Sequence, residues 1–292
     1  MNKAKSRKIV MKLELRKFDP RSIAGDSICI FLAKRNSGKT VALTHILSCH
    51  ANMPIGVVIS PTEQVNRHFG KHVPGMLIYD EYDPQILQKF VDRQLKITNQ
   101  YTTEKERYGH TDIDPRAFLI LDDCLYDKTW PTDKNIRQLF MNGRHMKVFM
   151  CITMQYPLGI PPVLRSNVDY VFILREPNIR NRHIIYEQYA GIFPSFEVFN
   201  EVLNQCTENY ECLVIDNKTQ SNKIEDQVFW WKADPNVNFR MCSKDLWDMQ
   251  ALENQRKLMG ISTADEDDDE DYNPNLIVKK KNMPKIKVRK NY

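Results

Sequence analysis

Short apolar runs separated by polar, helix-spaced segments form the main pattern along this chain. Short apolar runs bounded by turn residues are typical of buried strands, whereas longer segments with apolar residues at helical spacing predict helices. Strands that alternate with helices indicate an α/β domain with a mostly parallel sheet and helices on both faces. The predicted strands are 8–17, an edge strand, followed by 27–32, 56–60, 76–79, 116–122, 147–153, 168–174, 211–216 and 227–232. The predicted helices are 39–50, 84–108, 133–142, 178–190 and 195–206.

The end of the chain differs in composition from the middle. Residues 265–271 read DEDDDED, and seven Lys and Arg side chains follow between 279 and 290, so these charges cancel. A segment this polar cannot bury a core, which predicts disorder. We therefore divide the chain into a basic N-terminal segment with the edge strand at 1–20, a folded domain at 21–259 and a disordered acidic-then-basic tail at 260–292.

Composition excludes some classes of protein and leaves others open. The 292 residues contain no apolar run of the roughly 20 residues that a membrane span needs. The seven cysteines are scattered and form no C-x-x-C pair, which argues for free thiols and against a zinc ribbon or a disulfide framework. The formal net charge of +5 is compatible with a polyanion such as DNA as partner.

The segment AKRNSGKT at 33–40 predicts a phosphate-binding loop between a buried strand and a helix. It matches the P-loop pattern G-x-x-x-x-G-K-[ST] except that Ala33 replaces the first glycine. Backbone N–H groups of the loop would cradle the phosphates at the helix N-terminus. Lys39 would reach the β- and γ-phosphates of ATP, and the Thr40 hydroxyl would bind Mg²⁺. The residues expected to hold the nucleotide are Ala33, Asn36, Ser37, Gly38, Lys39 and Thr40.

Two further apolar strands end in polar side chains that suit ATP hydrolysis. FLILDD ends in two carboxylates, and KVFMCITMQ ends in a glutamine. The ligand sites of α/β proteins lie at the carboxyl ends of such strands. Asp122 would hold Mg²⁺ through its water shell, Asp123 would polarise the attacking water, and Gln155 would sense the γ-phosphate. Thr153 is a weaker companion. A turn-forming Asp-Asp pair and an ordinary exposed Gln are the structural alternatives.

Four arginines are candidates for stabilising the charge that develops on the transferred phosphoryl group, acting from a neighbouring subunit. Arg144 follows the helix that precedes the strand of Gln155 and is the first choice, and Arg165 is the second. Arg175 and Arg180 come after the next strand and are weaker candidates. Each of these arginines could instead be solvated or paired on the surface.

The motifs AKRNSGKT, FLILDD, NGRHMKVFMCITMQY and PPVLRSNVDYVFILRE occur in this order. Together they resemble the genome-packaging ATPases of nucleocytoplasmic large DNA viruses, which belong to the FtsK–HerA group of P-loop ATPases. The resemblance covers 18–234, its most specific block is 142–176, and VFWWKA at 228–233 resembles the family's closing strand. The chain departs from the wider group at Ala33, where Gly is usual, and at Asp123, where Glu is common. The shorter side chain of Asp123 would place the base differently or require a second water molecule.

The resemblance implies a RecA-like, three-layer fold in which another strand lies between the P-loop strand and its sequence neighbour. It implies a homo-oligomeric ring in which an arginine of one subunit completes the ATP site of the next. ATP hydrolysis would drive double-stranded DNA into a preformed capsid, with capsid or portal proteins as partners. The site of action would be the host-cell cytoplasm, in the viral factory, and the virion, with the nucleus left open.

Several other functions stay open on the sequence. A HerA-like helicase or translocase would use the same motor. A non-catalytic virion protein could carry a vestigial P-loop, although the chain argues against it with intact Lys39, Thr40, Asp122 and Asp123. A small-molecule kinase needs an acceptor pocket and usually a lid. A GTPase needs N-K-x-D, and NKTQ at 217–220 lacks the Asp that reads guanine. No acidic cluster ends an apolar strand beyond Glu176, which argues against a nuclease domain.

Overall fold

The structure, a computed structural model, describes residues 13–124 and 129–259. The predicted disordered tail and residues 8–12 of the predicted edge strand lie outside the described residues, and the predicted domain boundaries stay predictions. The strands are β1 (Arg16–Lys17), β2 (Ile28–Leu32), β3 (Gly56–Ile59), β4 (Ile78–Tyr79), β5 (Ala117–Asp122), β6 (Val148–Met154), β7 (Tyr170–Ile173), β8 (Glu211–Asp216) and β9 (Val228–Lys232). The helices are α1 (Lys39–Cys49), α2 (Glu63–Asn66), α3 (Pro84–Tyr108), α4 (Lys134–Asn142), α5 (Pro162–Arg165), α6 (Ile179–Tyr189), α7 (Phe196–Cys206), α8 (Ile224–Gln227) and α9 (Lys244–Leu258).

The strands of the described residues form one sheet in the order β1-β9-β8-β7-β2-β6-β5-β3-β4. The strands from β7 to β4 in this order run parallel, whereas β8 is antiparallel to both β7 and β9. This arrangement confirms the predicted α/β class with a mostly parallel, RecA-like sheet. Two strands, β6 and β5, separate the P-loop strand β2 from its sequence neighbour β3, where the resemblance implied one.

The central strands are apolar because both faces of the sheet are covered. Every residue of β2, β5 and β6 is buried, so these strands appear in the sequence as continuous apolar runs. Close packing also constrains β3, where a Cβ on Gly56 would overlap the ring of Phe118 on the neighbouring strand. A side chain at this position would therefore push β3 and β5 apart.

The predicted helices are found with boundaries set by their caps. Asp83 accepts a hydrogen bond from the N–H of Gln85 and begins α3, which ends at Gly109 with a φ of 76°. Asp133 caps α4 in the same way, through the N–H of Asn135. The sequence patterns missed the short helices α2, α5 and α8 and the long helix α9. In α9 the buried residue is Leu246, so the helix lacks a clear apolar stripe.

The N-terminal part of the described chain joins the sheet at its edge. β1 pairs in parallel with β9, as an edge strand should. Phe18, directly after β1, is buried, and its ring lies 5.7 Å from the ring of Tyr170 and 5.8 Å from that of Phe172. These contacts anchor the segment before residue 20 to the core of the domain.

The seven cysteines are free thiols, as predicted. Burial raises the pKa of Cys206 to about 11 and also raises the pKa of Cys212, so both side chains stay protonated at neutral pH. Within residues 13–124 and 129–259, no helix combines the length and the apolar composition that crossing a membrane requires.

Candidate nucleotide site

The predicted site residues meet at the edge of the sheet where the parallel strands end. The P-loop follows β2, and the acidic pair and Gln155 come from the ends of β5 and β6. Because these strands are parallel and β6 lies between the other two, their carboxyl ends face one space. That space is a cavity of about 530 Å³ lined by Lys34, Arg35, Asn36, Gly38, Lys39, Thr40, Val41, Thr62, Asn66, Asp122, Asp123 and Gln155.

The P-loop backbone has the shape of an anion cradle. Asn36 and Gly38 adopt left-handed conformations, with φ of 60° and 90°. Left-handed residues next to right-handed ones turn successive N–H groups into one concavity, which binds anions. Gly38 is also the N-cap of α1, and no side chain caps the first N–H groups of this helix. Because Gly38, Lys39 and Thr40 line the cavity, the positive end of the helix dipole is at the cavity wall.

Ala33 fits the first position of the loop without a glycine. The residue is buried, and its N–H donates to the carbonyl oxygen of Met154 at 3.0 Å. Ala33 does not adopt a positive φ, so its Cβ costs no backbone strain. The departure from the P-loop pattern therefore leaves the loop geometry intact.

Asp122 is held in one orientation by two hydroxyl groups. Thr153 donates to its Oδ1 at 2.7 Å, and Ser60 donates to its Oδ2 at 3.0 Å. The carboxylate is buried, with 5% of the residue exposed. The two hydroxyl groups fix the direction of the carboxylate, so its oxygens are held in place at the cavity wall.

Asp123 reaches the same cavity because the chain turns sharply after Asp122. Successive residues of a strand point to opposite faces, but Asp123 has a φ of 55°, which leaves the strand conformation. Its N–H donates to Oγ1 of Thr153 at 2.9 Å. Its Oδ1 lies 3.5 Å from Nζ of Lys39, and the amide of Gln155 donates to its Oδ2. Three of the predicted site residues are thus directly connected.

The donor set suits a magnesium ion. Mg²⁺ prefers oxygen ligands and is commonly held by one or two protein groups together with water and substrate phosphates. The Thr40 hydroxyl and the Asp122 carboxylate line the same cavity and are oxygen donors of this kind. These two residues would hold the ion, which would neutralise charge on the β- and γ-phosphate oxygens.

Sequence reasoning missed two hydroxyl groups of this site and ranked a third too low. Ser60 and Thr62 follow β3, and their side-chain oxygens are 3.3 Å apart. Thr153, treated as a weak companion of Gln155, contacts both acidic residues. A polar residue at the end of an apolar parallel strand was the signal for Asp122, and Ser60 carries the same signal after GVVI.

We expect Thr153→Val to lower ATPase activity and to destabilise the protein by about 1–3 kcal/mol. Valine has nearly the same shape but no hydroxyl, so Asp122 Oδ1 and the N–H of Asp123 each lose a buried partner. Urea denaturation and steady-state ATPase assays measure the two effects. Thr153→Ser keeps the hydroxyl and is the matched control. Equal stability and activity of Thr153→Val and the wild type would contradict this role.

His68 links the P-loop helix to the segment after β3. Its Nε2 lies 2.7 Å from Oγ1 of Thr44, which donates to the carbonyl oxygen of Thr40. Burial lowers the pKa of His68 from its ordinary value, so the ring is neutral at pH 7. A neutral imidazole adds no positive charge behind the loop, and it connects α1 to the segment that carries Thr62 and Asn66.

The two preferred arginines do not line this cavity. Nη2 of Arg144 lies 2.8 Å from Oδ1 of Asp169, at the edge of the sheet where β6 and β7 begin. Arg165 donates to Gln188, and its guanidinium lies 5.5 Å from the ring centre of Tyr189. Burial raises the pKa of Tyr189 to about 12, so this partner is a neutral phenol. Both arginines therefore stay predictions that require a neighbouring subunit.

The edge opposite the P-loop carries a second cavity of about 410 Å³, lined by Arg144, Asp169, Asn217 and Lys218 among others. Asn217 donates to the carbonyl oxygen of Val168, which fixes its side chain there. Because the NKTQ segment lies across the sheet from the P-loop, it cannot read a base bound at the loop. This position supports the exclusion of a GTPase of the N-K-x-D type.

No protein-family model matches the chain. Among solved structures, the pCW3 conjugation coupling protein TcpA has a TM-score of 0.52 and 14% identity, covering 77% of this chain and 65% of that protein. This similarity shows that the two proteins share a fold. The genome packaging NTPase B204 of Sulfolobus turreted icosahedral virus 2 has a TM-score of 0.48 and 14% identity, covering 74% of this chain and 100% of that chain.

One viral relative is similar along most of its length. Protein L437 of Acanthamoeba polyphaga mimivirus, described as uncharacterized, is 40% identical over 223 residues, which is 76% of this chain and 78% of the relative. Identity at this level over most of both chains establishes common descent. This chain therefore belongs to the same family as L437 of mimivirus, a nucleocytoplasmic large DNA virus, and it has the α/β fold that TcpA shares.

Proposed function

We propose that this protein is an ATPase that moves double-stranded DNA and packages the viral genome into a preformed capsid. The observation that carries the proposal is the connection between Lys39 of the P-loop and Asp123, whose side chain also accepts from Gln155. A P-loop alone binds phosphate. A carboxylate and an amide beside its lysine add the groups that hydrolysis requires.

Each residue would have a defined part in the reaction. The P-loop N–H groups and Lys39 bind the β- and γ-phosphates of ATP. Lys39 would leave Asp123 for the phosphate, which frees the carboxylate to orient and polarise a water molecule for attack on the γ-phosphorus. Gln155, already hydrogen-bonded to Asp123, would then respond to the presence or loss of the γ-phosphate. Its strand β6 lies beside β2 and connects the site to the rest of the sheet.

The packaging role rests on the ordered motifs of the P-loop, the acidic pair, Gln155 and the block that follows. We propose a homo-oligomeric ring that acts on DNA with capsid or portal proteins, in the cytoplasmic viral factory and the virion. The net charge of +5 supports a polyanionic substrate. The domain at 21–259 would form the motor, with the segments at 1–20 and 260–292 as appendages.

DNA-stimulated ATP hydrolysis tests the proposal directly. We expect double-stranded DNA to raise the ATPase rate of the wild-type full chain and Lys39→Ala to remove that stimulated rate, because the lysine contacts the transferred phosphate. The measurement is phosphate release with and without DNA. Lys89→Ala is the matched control, since this lysine lies on α3 outside the cavity lining.

Four outcomes separate the proposal from its alternatives. Equal rates for wild type and Lys39→Ala would favour a virion protein with a vestigial P-loop. ATP-dependent displacement of a third strand from duplex DNA supports a translocase, whereas separation of the duplex itself favours a HerA-like helicase. Loss of encapsidated genomes in a virus that carries Lys39→Ala would tie the motor to packaging.

Mixed rings identify the arginine that acts between subunits. If Arg144 is the finger, Arg144→Ala lowers hydrolysis at least about 1,000-fold. Mixing this variant with Lys39→Ala restores activity, because some interfaces then combine an intact P-loop with an intact arginine. The same mixture with Arg165→Ala is the comparison. Recovery with Arg165→Ala and none with Arg144→Ala would transfer the role to Arg165.

A further inference from the structure

An exposed tyrosine ring lies against the backbone of the P-loop. A Cβ placed on Gly38 would be 3.2 Å from Cδ1 of Tyr210 and 3.8 Å from its Cβ, so the ring borders the loop directly. The other neighbour is Leu174, whose Cδ2 would be 3.8 Å away. Although Tyr210 touches the loop, 70% of the residue is exposed to solvent. The residue therefore has surface available to a ligand.

The topology of the sheet explains how residue 210 reaches the loop. β8 runs antiparallel to β7, so the amino end of β8 lies at the edge where β7 and β2 have their carboxyl ends. The turn between α7 and β8 delivers Tyr210 to this edge. The N–H of Glu211 donates to the carbonyl oxygen of Glu208 at 2.9 Å, which closes the turn.

The turn holds its tyrosine in an uncommon conformation. Asn209 and Tyr210 have φ of 52° and 64°, both left-handed. Asparagine tolerates this region, whereas a bulky aromatic residue rarely adopts it. Such conformations persist where the surroundings determine them, and they are concentrated at ligand sites. Here the conformation accompanies a ring that is close to Gly38 but barely buried.

Tyr210 lies on the side of the P-loop away from the acidic pair. Along the sheet edge the order is β8, β7, β2, β6 and β5, so Tyr210 and Asp123 flank the loop on opposite sides. Lys39 and Asp123 mark the position of the γ-phosphate under the proposed function. The nucleoside end of a bound nucleotide must then extend from the loop toward another side, and the β7–β8 side carries the exposed ring.

We propose that Tyr210 is the base-stacking residue of this nucleotide site, an assignment that rests on the proposed ATP binding. The flat face of the phenol would cover the face of the adenine ring while the P-loop holds the phosphates. Because every base has an aromatic face, stacking raises affinity for nucleotides without selecting among the bases. The site would therefore prefer nucleoside triphosphates over inorganic polyphosphates of equal charge.

The test compares ATP with inorganic tripolyphosphate, which has the phosphates but no base. Tyr210→Asn removes the ring and keeps a residue that tolerates the left-handed backbone. In the full-length protein we expect this variant to weaken ATP binding roughly 5- to 150-fold, the range of one base–aromatic stack. Tripolyphosphate binding should not change. Tyr210→Phe should match the wild type, and Tyr108→Asn controls for loss of an exposed tyrosine far along the chain.

Each alternative outcome overturns a defined claim. Unchanged ATP affinity in Tyr210→Asn would remove the stacking role and leave the proposed ATPase intact. Equal weakening of ATP and tripolyphosphate would mean that the ring supports the loop and does not bind the base. If the wild type binds neither ligand, the ATPase proposal and the stacking role both fail. Calorimetric titration measures all of these affinities without relying on hydrolysis.

Discussion

Asp123→Asn is expected to lower the rate of ATP hydrolysis roughly 100- to 10,000-fold, the usual contribution of a positioned acid or base. The amide keeps the size of the side chain but cannot accept a proton from the attacking water. ATP binding should persist, because the P-loop is unchanged and Lys39 no longer has a carboxylate at 3.5 Å to compete with the phosphates. Single-turnover hydrolysis and equilibrium ATP binding measure the two effects separately.

Two further variants test whether the lost activity comes from losing the carboxylate at position 123. Asp123→Glu keeps a carboxylate at a different reach and should retain more activity than Asp123→Asn. Asp114→Asn neutralises a carboxylate whose Oδ2 lies 2.6 Å from Arg116, before β5 begins, and should hydrolyse ATP normally. A rate for Asp123→Asn above one tenth of the wild-type rate would show that another group activates the water.

Phe172→Ala is expected to lower the free energy of unfolding by about 3–5 kcal/mol, the range for removing a large buried aromatic side chain. Phe172 is fully buried on β7 and stacks on Phe31 of the P-loop strand, with ring centres 4.6 Å apart. Its ring also lies 5.6 Å from that of Trp231 on β9. Truncation would leave a cavity between the P-loop strand and the antiparallel part of the sheet.

Urea denaturation of the full-length variants checks this prediction. Tyr108→Ala removes an aromatic ring from a residue that is 59% exposed, and it should change stability by less than about 0.5 kcal/mol. If Phe172→Ala lowers the free energy of unfolding by less than about 1 kcal/mol, the neighbouring side chains have moved to fill the cavity left by the ring. Such closure would shift β2, so ATP affinity should be measured in the same variant.

The fold could be predicted from the sequence where burial controls the residue pattern. β2, β5 and β6 are buried on both faces, and their continuous apolar runs marked them closely. α3 was predicted at its observed bounds from its helical spacing, and in the structure Asp83 and Gly109 cap it at those bounds. α9 was missed because its mostly exposed surface imposes no periodic apolar pattern.

The candidate site could be predicted only in part. Local patterns marked Lys39, Asp122 and Gln155, since each follows a strand or belongs to a recognisable loop. The hydroxyl network around Asp122 was not visible, because Ser60 and Thr153 are ordinary residues until strand order brings them together. Tyr210 was likewise hidden, since its contact with the P-loop depends on the antiparallel direction of β8.

The groups of the candidate site can be located from local sequence: a P-loop, two carboxylates and a glutamine, each at the end of an apolar strand. Such features are local, and a few neighbouring residues specify them. Which of these groups come into contact depends on the tertiary fold. Strand order placed Lys39 beside Asp123 and Arg144 beside Asp169, because hydrogen bonding between strands distant in sequence, and not the sequence around each residue, sets those distances.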